Sequence, residues 1–236
     1  MYVIAFASQK GGSGKTTLAG HIAVEAERTG AGPVVLMDTD PQGSLSEWWN
    51  VREAETPSFV RASDNGLEAD LAALRASGTG LVVIDTPPAI TTTIGQVIAQ
   101  ADLVVIPTRP SPHDLRAAGA TVEICEGRNK PLVFVLNGAS PRARITTEAA
   151  IALSHHGAVS PTVVHQRTDF ASAMIDGRTV MELGGQSRSP DEITELWSFL
   201  RSRLTGEAAS PLLAGKTSVR KEALDPNREA SMRGAA

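Results

Sequence analysis

The sequence predicts an α/β protein: a doubly wound, mostly parallel sheet flanked by helices. Three observations predict it. Short continuous Val/Ile/Leu runs recur along the chain, as suits parallel strands covered on both faces. Longer segments of helical apolar spacing alternate with them. A glycine-rich segment lies between the first run and the first helical segment, where such a fold holds an anion.

Taken in order, residues 2–7 (YVIAFA) read as a buried strand and 15–29 as a helix with Leu18, Ile22 and Ala26 on one face. Residues 33–37 (PVVLM), 81–84 (LVVI), 103–106 (LVVI) and 132–136 (LVFVL) are further strands. Helical spacing fills 66–76, 91–100, 112–124 and 145–156 between them. A weaker strand signal lies near 161–165, and a helix near 190–204 closes the periodic region. Residues 205–236 turn to Ala, Ser, Gly, Pro and charge with no aromatic, which reads as a mobile tail. The organisation is therefore one domain over 1–204 and a tail over 205–236.

Composition excludes several classes. The 236 residues carry a formal net charge of −4, which argues against a uniformly basic nucleic-acid binder. The single cysteine, Cys125, makes no internal disulfide and builds no cysteine-based zinc or iron–sulfur site alone. A reducing cytoplasm suits it. No apolar stretch is long enough to span a bilayer. The apolar start of the chain is too short for a signal peptide and has no basic leader.

The strongest motif is Gln9-Lys10-Gly11-Gly12-Ser13-Gly14-Lys15-Thr16-Thr17. Placed after a strand and opening a helix, it reads as a P-loop: glycines turn backbone N–H groups toward a phosphate and the helix N-terminus adds partial positive charge. Lys15 would reach the β- and γ-phosphates, and the Thr16 hydroxyl would ligate Mg²⁺. The ordinary pattern requires glycine where Gln9 stands. Lys10 precedes the double glycine instead, placing a second cation beside the phosphates. Two acidic clusters end strands on the same sheet edge: Asp38-Thr39-Asp40-Pro41-Gln42-Gly43 and Asp85-Thr86-Pro87-Pro88. Asp85 after four apolar residues reads as a Walker B aspartate, and Asp38 and Asp40 divide metal support and water positioning between them.

KGGSGKTT, DTDPQGS at 38–44 and VVIDTPP at 82–88 together resemble the deviant Walker A ATPases of the ParA/MinD superfamily, most closely the short ParA type. Later segments fit as well: VVIPTRPSPHDL at 104–115 and FVLNGAS at 134–140. The resemblance implies a P-loop NTPase fold, ATP and Mg²⁺ as ligands, and an ATP-sandwich homodimer in which Lys10 crosses to the partner's nucleotide. It implies that Lys10, Lys15 and Asp40 serve hydrolysis, with Asp40 orienting the water. Residues 10–17 would bind the nucleotide, and Asn137, at the end of its strand, would face the adenine. Thr16, Asp38 and Asp85 would surround the metal, and the 41–43 turn would respond to the γ-phosphate.

Family members bind DNA without sequence specificity as ATP dimers, so local arginines matter more than net charge. Arg188, within 185–189, and Arg167 fall near the family's DNA-contact positions. The implied partners are a second copy, non-specific DNA, and a ParB-like or cargo-adaptor protein that stimulates hydrolysis. The implied location is cytoplasmic and nucleoid-associated, with no stable membrane insertion. A MinD-like membrane-recruited regulator is the alternative, although Pro211 and Pro226 interrupt the tail. Cys125 alone rules against the iron–sulfur relatives, and the lone Tyr2 against the tyrosine kinases. His21 stands where the family often has Asn. His155-His156 point apart on a helix and read as surface histidines, and Trp48-Trp49 read as packing residues.

Overall fold

The sheet is built from eight parallel strands in the order β3-β2-β4-β1-β5-β6-β7, with β8 on the far part of β6. The strands are β1 (Tyr2–Phe6), β2 (Val34–Asp38), β3 (Ser58–Arg61), β4 (Leu81–Asp85), β5 (Leu103–Thr108), β6 (Leu132–Ala139), β7 (Ala158–Val159) and β8 (Val164–His165). The helices are α1 (Lys15–Arg28), α2 (Ser44–Asn50), α3 (Leu67–Ala76), α4 (Thr92–Gln100), α5 (Pro112–Glu126), α6 (Arg144–Ser154), α7 (Thr168–Met174) and α8 (Ser189–Thr205). A 3₁₀ turn covers Val180–Glu182. The computed structural model describes residues 1–63, 66–88 and 92–207, so the tail expected over 205–236 lies outside the described residues from position 208 onward.

Period-two alternation assigns each strand residue to one of two cores. Ile4 and Phe6 of β1 join Leu18, Ile22, Leu36, Val83, Leu196 and Trp197 beneath α1 and α8. Val3 and Ala5 join Val35, Ile84, Ile94, Val104 and Leu136 beneath α4, α5 and α6. Each large side chain so buried contributes on the order of 1.5–3 kcal/mol. All five residues of β2 and of β4 are buried, which is why the sequence shows them as unbroken apolar runs.

Two helices escape the apolar pattern. Helix α2 has seven residues, and Trp48 docks through Gly20 of α1: a Cβ there would lie 3.4 Å from the indole. Trp49 instead stacks on Phe59 of the edge strand β3, at 5.4 Å between ring centroids. The packing reading of the tryptophan pair therefore stands. Helix α7, also of seven residues, buries Phe170 and Ala173 only. Strand β6 runs three residues past the expected end, to Ala139. Asn137 thus lies inside the strand, paired in register with Val164 of β8, rather than at its end. Cys125 is fully buried on α5, and burial pushes its thiol up to about 12. Among the described residues, no helix is long and apolar enough to cross a membrane.

Candidate functional site

The carboxyl ends of β1, β4 and β2 place the loop 7–14 beside two aspartates. Helix α1 starts from Gly14 at φ 96 and ψ 21, with no side chain capping its first turn. Its leading N–H groups are left for an anion. The loop needs glycine at this position for a second reason: a Cβ there would sit 2.0 Å from Asn137 Nδ2. That amide donates to the Ser13 carbonyl at 2.7 Å and ties β6 to the loop.

Lys15 is buried to 6% exposure, and its Nζ reaches the Lys10 carbonyl at 3.4 Å. Burial lowers its pKa, against the opposing pull of Asp85 and Asp40. Thr16 Oγ1 donates to Asp85 Oδ2 at 2.6 Å. Asp85 ends β4 directly beside Asp38 of β2. Burial pushes the Asp85 carboxyl up to about 7, and the charges of Asp38 and Asp40 add to the rise. Two buried acids on neighbouring strands call for a cation between them.

Asp85 Oδ1 is buried and has no hydrogen-bond partner. With the Thr16 hydroxyl beside it, this orphaned oxygen suits a hard cation such as Mg²⁺, which takes one or two carboxylates and completes its shell with phosphate and water. Asp38 is more heavily engaged: Oδ1 accepts the Asp40 N–H, and Oδ2 accepts both the N–H and the hydroxyl of Ser46. It holds the start of α2 to the sheet. Asp40 Oδ1 accepts from Gln42 N at 2.9 Å and its carbonyl from Gly43 N at 3.0 Å, closing the 41–43 turn.

Lys10 is held by a carboxylate of its own chain. Its ammonium contacts Asp114 Oδ2 at 2.6 Å, 104 residues away on α5. Burial would raise the Asp114 carboxyl, but hydrogen bonds from Lys10 and Ser111, with the charges of Lys10 and Arg109, hold it below the usual range. The sequence singled out neither Asp114 nor Arg109. Only the P-S-P-H-D run, a Ser N-cap followed by Asp at the third position, signals that a carboxylate is anchored there.

Two cavities flank the loop and share Gly12, Gly14 and Thr17. One, of about 530 Å³, lies against Lys15, Thr16, Ser44 and the apolar rim of Val51 and Ile175. The other, of about 260 Å³, is lined by Asn137, Gly138, Gln166, Arg167 and Phe170. Arg167 and Arg188, the expected DNA contacts, differ sharply. Arg167 makes a two-pronged ion pair with Glu192 at 2.6 and 2.8 Å, and His165 Nδ1 joins the same carboxylate at 2.7 Å. Arg188 is exposed at the start of α8.

Two residues between the cavities and α8 were not read as functional. Fully buried His21 donates from Nδ1 to the Thr17 carbonyl at 2.7 Å, which fixes the tautomer, and accepts the Val180 N–H at Nε2 at 3.2 Å. Arg52 forks onto Glu182 at 2.9 and 2.7 Å and donates to the Gly177 carbonyl at 2.8 Å. It joins α2 to the segment before α8.

The CobQ/CobB/MinD/ParA nucleotide binding domain matches residues 4–180. The chain belongs to this family. Its relatives include the maintenance of carboxysome distribution protein A of Halothiobacillus neapolitanus, 34% identical over 205 residues that cover 83% of this chain and 94% of the relative. The chromosome-partitioning ATPase Soj of Thermus thermophilus is 28% identical, covering 76% and 87%. Solved structures share the fold: an ATP complex of Cyanothece McdA at a TM-score of 0.67 and 19% identity, covering 86% of this chain and 96% of that one. A Pyrococcus horikoshii MinD complexed with Mg-ADP reaches 0.70 at 15% identity, covering 89% and 99%. The ParA/MinD proteins are nucleotide-binding ATPases.

Proposed function

We propose that this chain is a Mg²⁺-dependent ATPase of slow intrinsic turnover that partitions or positions a large cargo over DNA. The observation that carries the reading is the joint placement of Lys15, Thr16 and an orphaned Asp85 oxygen at an uncapped helix start. The similarity to proteins named for carboxysome distribution and chromosome partitioning supplies the class of cargo, a protein compartment or a DNA molecule. The ATPase domain spans 1–204.

In this reading ATP lays its phosphates on residues 10–17, with Gly11, Gly12, Ser13, Gly14 and Thr17 offering backbone and hydroxyl donors. Lys15 neutralises the outer phosphates, and Asn137 faces the adenine. Thr16 and Asp85, with Asp38 close by, would hold Mg²⁺, which would supply neutralisation of phosphate charge. Asp40 orients the attacking water. An aspartate is a weak base, so the site positions more than it activates, and turnover is slow until a partner protein completes it.

The exposed apolar side chains Val51 and Ile175, at 53% and 80% exposure on the rim of the larger cavity, support a second copy closing over the nucleotide. Lys10 then leaves Asp114 to serve the partner's phosphates. Dimerisation doubles the phosphate contacts that Arg188 and Arg167 offer to duplex DNA, which gates DNA binding by ATP and places the protein on the nucleoid. A ParB-like or adaptor protein sets the lifetime of that state.

The test is a gel-shift series on arbitrary duplex DNA with Mg²⁺ and either ATP or ADP, at rising salt. Binding with ATP that weakens steeply with salt is expected. Equal binding with both nucleotides sinks the reading, and ATP-dependent sedimentation with liposomes instead of DNA transfers it to the membrane-recruited alternative.

A further inference from the structure

We propose that Arg109 is an additional phosphate-binding residue, taking the oxygens of a nucleoside triphosphate from outside the phosphate loop; this rests on the nucleotide reading of that loop. Arg109 directly follows β5, whose Val105 is in register with Phe6 of β1. The residue therefore leaves the sheet at the same edge as the loop. Its guanidinium lies across bare backbone on both sides. Nη2 is 3.9 Å from where a Cβ on Gly12 would stand, and Nε is 3.6 Å from the same position on Gly138. Both glycines have positive φ, 73° and 63°, so neither position readily takes a side chain that would fill the gap. Arg109 also lines the smaller cavity beside Asn137.

Among the described residues the Arg109 guanidinium makes no hydrogen bond and no ion pair. Arg167, on the same cavity, is by contrast paired with Glu192. Asp114 feels the charge of Arg109, but its Oδ2 is taken by Lys10 and Ser111, and its buried Oδ1, which has no hydrogen-bond partner, makes no bond to the guanidinium. Two cations thus face one carboxylate, and the exposed Arg109 keeps its donors for solvent or a ligand. A planar fork of five donors without acceptors, poised over an anion loop, matches phosphate oxygens in a way a lysine does not. The phosphate comes from one of two sources, the chain's own nucleotide or that of a second copy closed over it.

Calorimetric titration of the full chain with Mg²⁺ and a non-hydrolysable ATP analogue tests this, using wild type, Arg109→Ala and Arg109→Lys. Protein concentrations below and above the sedimentation-defined dimer range separate the two sources. The alanine variant should bind the analogue about tenfold more weakly, the lysine variant should fall between, and adenosine binding should stay unchanged. A loss already present in the monomer assigns the contact to the chain's own nucleotide; a loss confined to the dimer assigns it to the partner's. The melting temperature should hardly move, because no hydrogen bond or ion pair among the described residues is lost. Unchanged analogue affinity at both concentrations overturns the proposal, as does a loss that extends to adenosine or comes with a lower melting temperature. A wild type that binds no nucleotide overturns the nucleotide reading itself, and this inference with it.

Discussion

The phosphate edge and the arginine edge of this molecule carry their charges in opposite ways. At the carboxyl ends of β1, β2 and β4, charged groups are buried and incompletely matched. Lys15 and Asp85 are 6% and 1% exposed, and one Asp85 oxygen has no partner. Around β8 and α7 the groups lie nearer water and are matched, with Glu192 pairing with Arg167 and hydrogen-bonding His165. A buried, unsatisfied group stores the cost of its desolvation until a ligand relieves it, which makes the first edge specific and strong. An exposed, matched group has little to gain from a ligand that must displace its partner, which makes the second edge weak and adjustable. The seam between them is His21 on α1 and Arg52 after α2, both reaching the 177–182 segment.

The largest effect is expected where the charge is least replaceable. Lys15→Ala removes the buried cation beside Asp85 and Asp40 and should lower phosphate release at saturating ATP by about a hundredfold or more. Nucleotide affinity should fall with it. Phosphate release within threefold of wild type would mean that Lys10, freed from Asp114, takes over, and the two lysines would no longer belong to distinct positions.

The seam offers the next effect, and it is a pH effect. Burial lowers the His21 pKa from 6.5 to about 4, so the folded chain holds this imidazole neutral where the unfolded chain protonates it. Between those values the unfolded state binds more protons, so stability rises with pH and is lost on acidification through the window from 6.5 toward 4. Going from pH 7 to pH 5, this group should remove about 2 kcal/mol. His21→Asn, which cannot titrate, should lose that part of the pH slope, at a cost of about 1 kcal/mol at neutral pH for the shortened contacts to Thr17 and Val180. Urea unfolding of both proteins at the two pH values measures the difference, and parallel slopes would place the origin of the acid sensitivity elsewhere.

How far each edge was legible in the sequence follows the same contrast. Gly14, Lys15 and Thr16 are consecutive, so the proposed phosphate site is written contiguously in the sequence. Asp38 and Asp85 each end an apolar run, and a carboxylate there stands out. Lys10 stood out too, but its partner Asp114 is 104 residues distant and appears in the sequence only as an N-terminal helix residue. The Arg167–Glu192 pair spans 25 residues between a short strand and a helix. Without the fold, each reads as a solvated charge. Strand β3 has no fully buried residue, and α2 and α7 are each only seven residues long, so no apolar period marks them.

The arginine edge gives the smallest effect and the finest discrimination. If duplex DNA binds there through phosphates, each contact contributes about 0.9 to the slope of log affinity against log salt. Arg188, exposed and outside the Glu192 pair, should behave as a full contact, so Arg188→Ala should lower that slope by about 0.9 per subunit and weaken binding a few-fold at moderate salt. Arg167 is already spent on Glu192, so Arg167→Ala should cost less than Arg188→Ala. Glu192→Gln should do the reverse: it keeps a hydrogen-bonding side chain but releases the guanidinium's charge, steepening the slope and tightening ATP-dependent binding. Fluorescence anisotropy with a labelled duplex at four salt concentrations measures all three. Should Arg167→Ala cost as much as Arg188→Ala while Glu192→Gln changes nothing, the ion pair must open on DNA of its own accord. The two edges would then differ in burial but not in readiness to bind, because matching, rather than depth, would have ceased to hold Arg167 back.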